Sequence, residues 1–180
     1  KDAKGIRNVY SILKEDASSD KVIVISAMGK TTNMLERVVN DYINGQSPSL
    51  EEVKRYHFDI IKELFAENHS IFDEVNNLFV EIEWAIEDSP TSTYDYEYDQ
   101  IVSVGELLST KIVSAFLEQQ NFANTWVDAR DIIRTDNTYR NARIDWELTS
   151  DLIRKVISPQ CVYITQGFIG CTSENFTTTL

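Results

Sequence analysis

Apolar residues recur at helical spacing early in the chain, where Ile6, Val9, Tyr10 and Leu13 fall on one face of a first helix. "KVIVISA", from Lys21, is a short β-branched run that predicts a buried strand, and Met34, Leu35, Val38, Val39 and Tyr42 then predict a helix from Thr32 to about Tyr42, ended by "NGQSPS". From Ser49 to about Ile86 the spacing is again helical, with "SLEEV" placing acidic residues in a first turn and Asn68-His69-Ser70 dividing the stretch in two. "EDSPTSTYDYEYDQ", residues 87 to 100, reads as a polar connector whose "YDYEYD" is a solvated turn. "IVSVGELLSTKIVSAFLEQQ" resumes a helix through Leu117. "NTWVDA", around Thr125 to Ala129, and "CVYITQGF", from Cys161, predict two more strands, with a helix from Trp146 to Ile157 between them, and "FTTTL" predicts a last one. Strands alternating with helices predict an α/β fold: one parallel sheet covered on both faces, in a single unit with a helical elaboration at its middle.

Composition narrows the function classes. The chain has 180 residues, 42% of them apolar and 11% aromatic, enough for one ordinary core. A formal net charge of −12 repels a phosphate backbone and an anionic lipid surface, so neither nucleic acid nor membrane is an expected partner. No apolar run approaches the roughly 18 to 20 residues of a spanning helix. Cys161 and Cys171 have no second pair, so they are expected to be buried thiols rather than a disulfide framework or a zinc site. No basic segment leads into an apolar one at the start, and a cytoplasmic address is expected. The chain opens on Lys1 rather than a methionine and stops on a strand-like run, so further sequence is expected on both sides.

Gly29-Lys30-Thr31 looks like the end of a phosphate-binding P-loop. That motif needs another glycine five positions before Gly29, and Val24 stands there, inside the strand, so the cradle cannot form. Ser26 and Ala27 nevertheless sit where a parallel strand ends, the place where α/β sheets keep their ligands. Thr31, Thr32 and Asn33 then either offer hydroxyls and free N–H groups to an anion or only cap the helix. His57 and His69 lack a metal-ligand partner at i+3 or i+4 and read as ordinary core or surface histidines. "DAR" at 128 to 130 and "RTDN" at 134 to 137 read as loop-organising charges without chemistry.

"VISAMGKTTNML", "VSVGELLSTKIVSAFL", "YITQGFIG…TTTL" and "RDIIRTDNTYRNARID" together resemble, across nearly the whole chain, the aspartokinases of the amino-acid kinase family. The resemblance implies a three-layer αβα sandwich with a mostly parallel sheet and a helical insertion at about 46–100. It also implies transfer of the ATP γ-phosphoryl group to the side-chain carboxylate of L-aspartate, giving 4-phospho-L-aspartate for lysine, threonine and methionine biosynthesis. Ser26 and Ala27 would lie beside the reacting groups, Thr32 would contact aspartate, and Glu106, in the family's G-E-L motif, would bind its α-ammonium. Gln166, Gly167 and Phe168 would border the aspartate, and ATP and Mg²⁺ are the implied cofactors of a homo-oligomeric parent. The family's K-F-G-G-T-S lysine would lie before Lys1. Its G-R-G-G-S-D segment, nucleotide-binding half and regulatory ACT domains would follow Leu180. Residues 1–180 are therefore expected to be a partial kinase domain, inactive alone. The runner-up readings are another amino-acid kinase, acting on glutamate, acetylglutamate or a nucleotide, and a non-catalytic α/β binding domain.

Overall fold

The computed structural model describes residues 1–180 except Ala17 and Ser19. Helix α1 (Ala3–Glu15) starts where the Asp2 carboxylate accepts the Gly5 N–H at 2.8 Å, and strand β1 (Lys21–Ile25) follows. Five helices come next: α2 (Thr31–Ile43), α3 (Glu51–Leu64), α4 (Ile71–Ala85), α5 (Tyr94–Val102) and α6 (Val104–Gln119). The remainder is β2 (Thr125–Trp126), α7 (Ala129–Ile132), α8 (Trp146–Val156), β3 (Val162–Gln166), β4 (Ile169–Cys171) and β5 (Thr177–Thr179).

The main sheet has the order β1-β3-β2 with every pair parallel, so both crossovers run through helices. Ile23 pairs with Ile164 and Ile25 with Gln166, so these four side chains share the face that meets the large core. Helix α6 lies against that face and is buried on nearly all sides, as its almost uninterrupted apolar sequence requires. The opposite face carries a smaller cluster, in which Val127, Ile132 and Tyr163 pack with Leu152, Ile153 and Ile157 of α8 and its end.

The structure corrects four expectations. The second face of the sheet is covered only over β2 and β3: Val22 and Val24 of β1 remain 53% and 60% exposed, because α8 does not reach them. "FTTTL" does form a strand, yet β5 pairs antiparallel with β4 in a separate two-stranded sheet rather than extending the parallel one. "YDYEYD" is not a solvated turn but most of α5. The Thr93 hydroxyl accepts from the Tyr96 N–H, and acids at Asp95 and Glu97 suit the positive helix start. The buried face of α5 is partly polar: Asp99, fully buried, accepts from the Thr179 N–H (2.8 Å), the Thr179 hydroxyl (2.6 Å) and the Arg140 N–H (3.0 Å). Gln100 beside it exchanges two hydrogen bonds with the backbone of Thr177, so α5 holds β5 by its side chains. Finally, Tyr94–Gln119 is long and apolar enough by length and composition to cross a membrane, but 83% of its apolar window is buried inside the protein, the signature of a core helix.

Candidate active site

Because β1 and β3 run parallel in register, they end side by side, and Ser26 and Gly167 leave the sheet next to each other. The first turns of α6 lie across these two ends. A Cβ on Gly105 would stand 2.9 Å from Thr31 Cγ2 and 3.4 Å from Ala27 Cβ, so this position has no room for a side chain. One turn on, the Ser109 hydroxyl donates to the Ser26 carbonyl at 2.8 Å, tying the helix to the end of β1.

This close approach delivers Glu106 to the strand ends. Its side chain is 4% exposed, and among the described residues its Oε2 has no hydrogen-bond partner. Burial pushes the carboxyl up to about 7, and the Ala27 backbone amide, which favours the ionised form, offsets this in part. A buried carboxylate oxygen without a partner costs free energy unless a donor arrives. The site therefore suits a cationic group, and an ammonium would restore what burial removed.

The loop from Ser26 to Lys30 leads into α2 with neither threonine as a side-chain cap. Thr31 is fully buried, and its hydroxyl donates to the Met28 carbonyl at 2.7 Å and lies 3.4 Å from His57 Nε2. No side chain caps the start of α2 at Lys30. Thr31 thus closes the loop instead of capping the helix, and the half-buried Thr32 is the hydroxyl left beside the helix start. Tyr56 and His57 of α3 back this loop, with the two rings edge to face at 5.1 Å. Gly29, at φ +57, lies against the Tyr56 hydroxyl. His57 is held by the Val53 carbonyl at 2.9 Å from Nδ1, and burial drives its imidazole down to about 4, so it is neutral.

On the β3 side, the Gly167 position is tight: a Cβ there would lie 3.2 Å from Val24 Cγ1. Phe168 follows in the left-handed region at φ +68, a conformation costly for an aromatic residue, and is 39% exposed. Its carbonyl accepts from the Leu180 N–H at 2.9 Å, which fixes the turn. The Gln166 side chain points inward and is consumed there. Its Oε1 accepts the Ala129 N–H and its Nε2 donates to the Thr110 hydroxyl, each at 2.7 Å, so it has only backbone to offer a ligand.

Ser26, Ala27, Glu106, Gly167 and Phe168 thus gather at one end of the sheet, with Thr32 at the adjoining helix start. Sequence reasoning missed Gly105, Ser109, Thr110 and Trp126, although the polar pair Ser109-Thr110 inside an otherwise apolar helix was a visible signal. The "DAR" charges do organise a loop: Asp128 accepts the Arg130 N–H and pairs with its guanidinium at 2.7 Å. Among the described residues no group of three or more His, Cys, Asp or Glu side chains is placed to hold a metal ion.

A sequence profile described as the amino acid kinase family matches residues 1–179. Lysine-sensitive aspartokinase 3 of Escherichia coli is 29% identical over 164 residues, spanning 89% of this chain and 36% of that protein. The aspartokinase of Chlamydia trachomatis is 27% identical over 180 residues, spanning 99% of this chain and 39% of that one. Among solved structures, E. coli aspartokinase III in complex with aspartate and ADP superposes with a TM-score of 0.86 at 26% identity, covering 99% of this chain and 40% of the other. The chain therefore spans well under half the length of these relatives.

Proposed function

This chain belongs to the amino acid kinase family, and we propose that it forms the aspartate-holding part of an aspartate kinase, which transfers the ATP γ-phosphoryl group to the side-chain carboxylate of L-aspartate. The observation that carries this reading is Glu106: a carboxylate buried where β1 and β3 end, with one oxygen unpartnered. It binds the α-ammonium of aspartate as an ion, and the substrate's own charge brings its proton affinity back down. Thr32 and the uncapped start of α2 face the substrate's anionic groups with a hydroxyl and N–H donors. Gly167 admits the substrate close to the backbone, and the ring of Phe168 shields it from water.

Held this way at its amino acid end, the substrate presents its side-chain carboxylate to the phosphoryl donor, and an oxygen of that carboxylate attacks the γ-phosphorus as ADP leaves. Such transfers depend on positioning and on cations set against developing charge. ATP with Mg²⁺ is the proposed donor. Among the described residues no cluster of His, Cys, Asp or Glu is placed to hold the ion. Neither the resemblance's lysine nor its arginine falls within residues 1–180, so these residues by themselves are expected to be inactive. A cytoplasmic, homo-oligomeric parent completes the proposal.

Trapping the acyl phosphate with hydroxylamine tests the reading. The full-length protein carrying this chain should form a hydroxamate with ATP and L-aspartate, and far less with glutamate or N-acetylglutamate, whose acetylated nitrogen carries no charge for Glu106. Preferential use of N-acetylglutamate would overturn the ammonium-binding role and with it the substrate.

A further inference from the structure

The Gln166 and Thr110 side chains lie behind the substrate site and bond to each other rather than facing a ligand. Gln166 is 4% exposed, Thr110 is fully buried, and every polar atom of the pair is used. The Thr110 oxygen receives two donors, Gln166 Nε2 at 2.7 Å and the Trp126 indole N–H at 3.0 Å. With both lone pairs filled, its single hydrogen is left for a carbonyl of its own helix, and the Glu106 carbonyl lies 3.0 Å away, with that of Leu107 at 3.2 Å. The far end of the Gln166 amide is set by the same logic. Only an oxygen can accept the Ala129 N–H, so the NH₂ end faces Thr110 and the amide cannot flip without losing the Ala129 bond.

One hydroxyl thereby joins the end of β3, the end of β2 and the helix turn that carries Glu106. Lys111, next in the chain, sits 3.9 Å over the Trp126 ring and holds that indole from the outside. On the other flank, the Ser109–Ser26 hydrogen bond ties the same turn to β1. The height of Glu106 above the strand ends is thus defined from both sides, and on the β3 side the hydrogen bonds run through Gln166 and Thr110, beside the apolar packing of α6 on Ile164.

We propose that Gln166 is a positioning residue that acts through the Thr110 hydroxyl to fix the Glu106 turn of α6 against the end of β3. The proposal rests on the aspartate-kinase reading for its functional consequence, although the geometry it describes is independent of the substrate. Gln166→Met keeps the length of the side chain and removes both of its hydrogen bonds. Thr110→Val keeps the shape and removes the hydroxyl, and Thr110→Ser restores it.

In the full-length protein, Gln166→Met and Thr110→Val should each raise the KM for aspartate between about tenfold and 10²-fold, as a small misplacement of a binding group does. The KM for ATP should stay within about twofold, and Thr110→Ser should return the aspartate KM to within about twofold of wild type, since its hydroxyl can take the same bonds. A second readout needs no substrate. The side-chain carboxyl ¹³C resonance of Glu106, assigned by its loss in Glu106→Gln, should move in Gln166→Met and Thr110→Val and not in Thr110→Ser. An unmoved resonance in the first two variants overturns the positioning role whatever the substrate proves to be. A moved resonance together with no aspartate kinase activity in wild type would instead retire the substrate assignment. Equal rises in the aspartate and ATP KM, unrescued by Thr110→Ser, would reduce the pair to a purely structural function.

Discussion

Glu106→Gln in the full-length protein should weaken the use of aspartate by about tenfold to over a hundredfold, because a charge-assisted hydrogen bond to an ammonium contributes roughly 1.5 to 3 kcal/mol and each 1.4 kcal/mol is tenfold. The apparent affinity for ATP should change far less, since the donor does not touch this carboxyl. The wild-type protein should also show a pH signature that the variant lacks. Only the ionised carboxylate attracts the ammonium, and the carboxyl of the empty site titrates near about 7. The ionised fraction therefore falls about tenfold between pH 8 and pH 6, and the aspartate KM rises by the same factor. In Glu106→Gln this dependence should be flat. A variant with wild-type KM and kcat for aspartate would remove Glu106 from the site.

Stability should carry a second signature, from two buried groups shifted in opposite directions. For Glu106 the folded value is about 7 against an ordinary 4.5, so the folded state holds its proton more tightly. Its contribution is fully present below pH 4.5 and is lost as pH rises to 7. For His57 the folded value is about 4 against an ordinary 6.5, so its contribution is fully present above pH 6.5 and is lost as pH falls to 4. Between pH 5 and pH 7 each effect amounts to about 2 kcal/mol, and the two nearly cancel. Wild-type stability should be almost level there as far as these groups decide it. Glu106→Gln should leave the His57 dependence exposed, with stability climbing by about 2 kcal/mol from pH 5 to pH 7, and His57→Gln should show the reverse slope. Urea midpoints across this range, kept above the sequence pI of about 4.6 to avoid precipitation, provide the measurement. Parallel curves for all three proteins would show that these groups are not buried as described.

The helices and strands with apolar faces were legible because burial writes its period into the sequence: Ile6, Val9 and Leu13 in α1 and Met34, Leu35 and Val38 in α2 needed nothing else. Helix α5 was not legible, because its buried face includes the polar Glu97 and Asp99, and the burial of Asp99 depends on Arg140 and Thr179, far along the chain. The exposure of Val22 and Val24 was equally hidden: a β-branched strand reads the same whether or not a helix lies over it. At the site, a first-turn glutamate is ordinary in any helix, and only the family likeness singled out Glu106. Its burial and missing partner are tertiary facts. The sequence could not tell Thr31 from Thr32 either, since one residue of helical rotation turns the first into the core and leaves the second half-buried beside the loop. Gln166 carried the likeness through its backbone neighbourhood, while the role of its side chain depended on Thr110 and Ala129, 56 and 37 positions away.

The most direct test of this site is a crystal structure of the full-length protein with L-aspartate bound. The ammonium nitrogen should lie at hydrogen-bond distance, about 2.7 to 3.2 Å, from Glu106 Oε2, with the amino acid seated between Ser26-Ala27 and Gly167-Phe168. Aspartate bound elsewhere, or bound here with its ammonium turned away from a still unpartnered Glu106, would contradict the assignment.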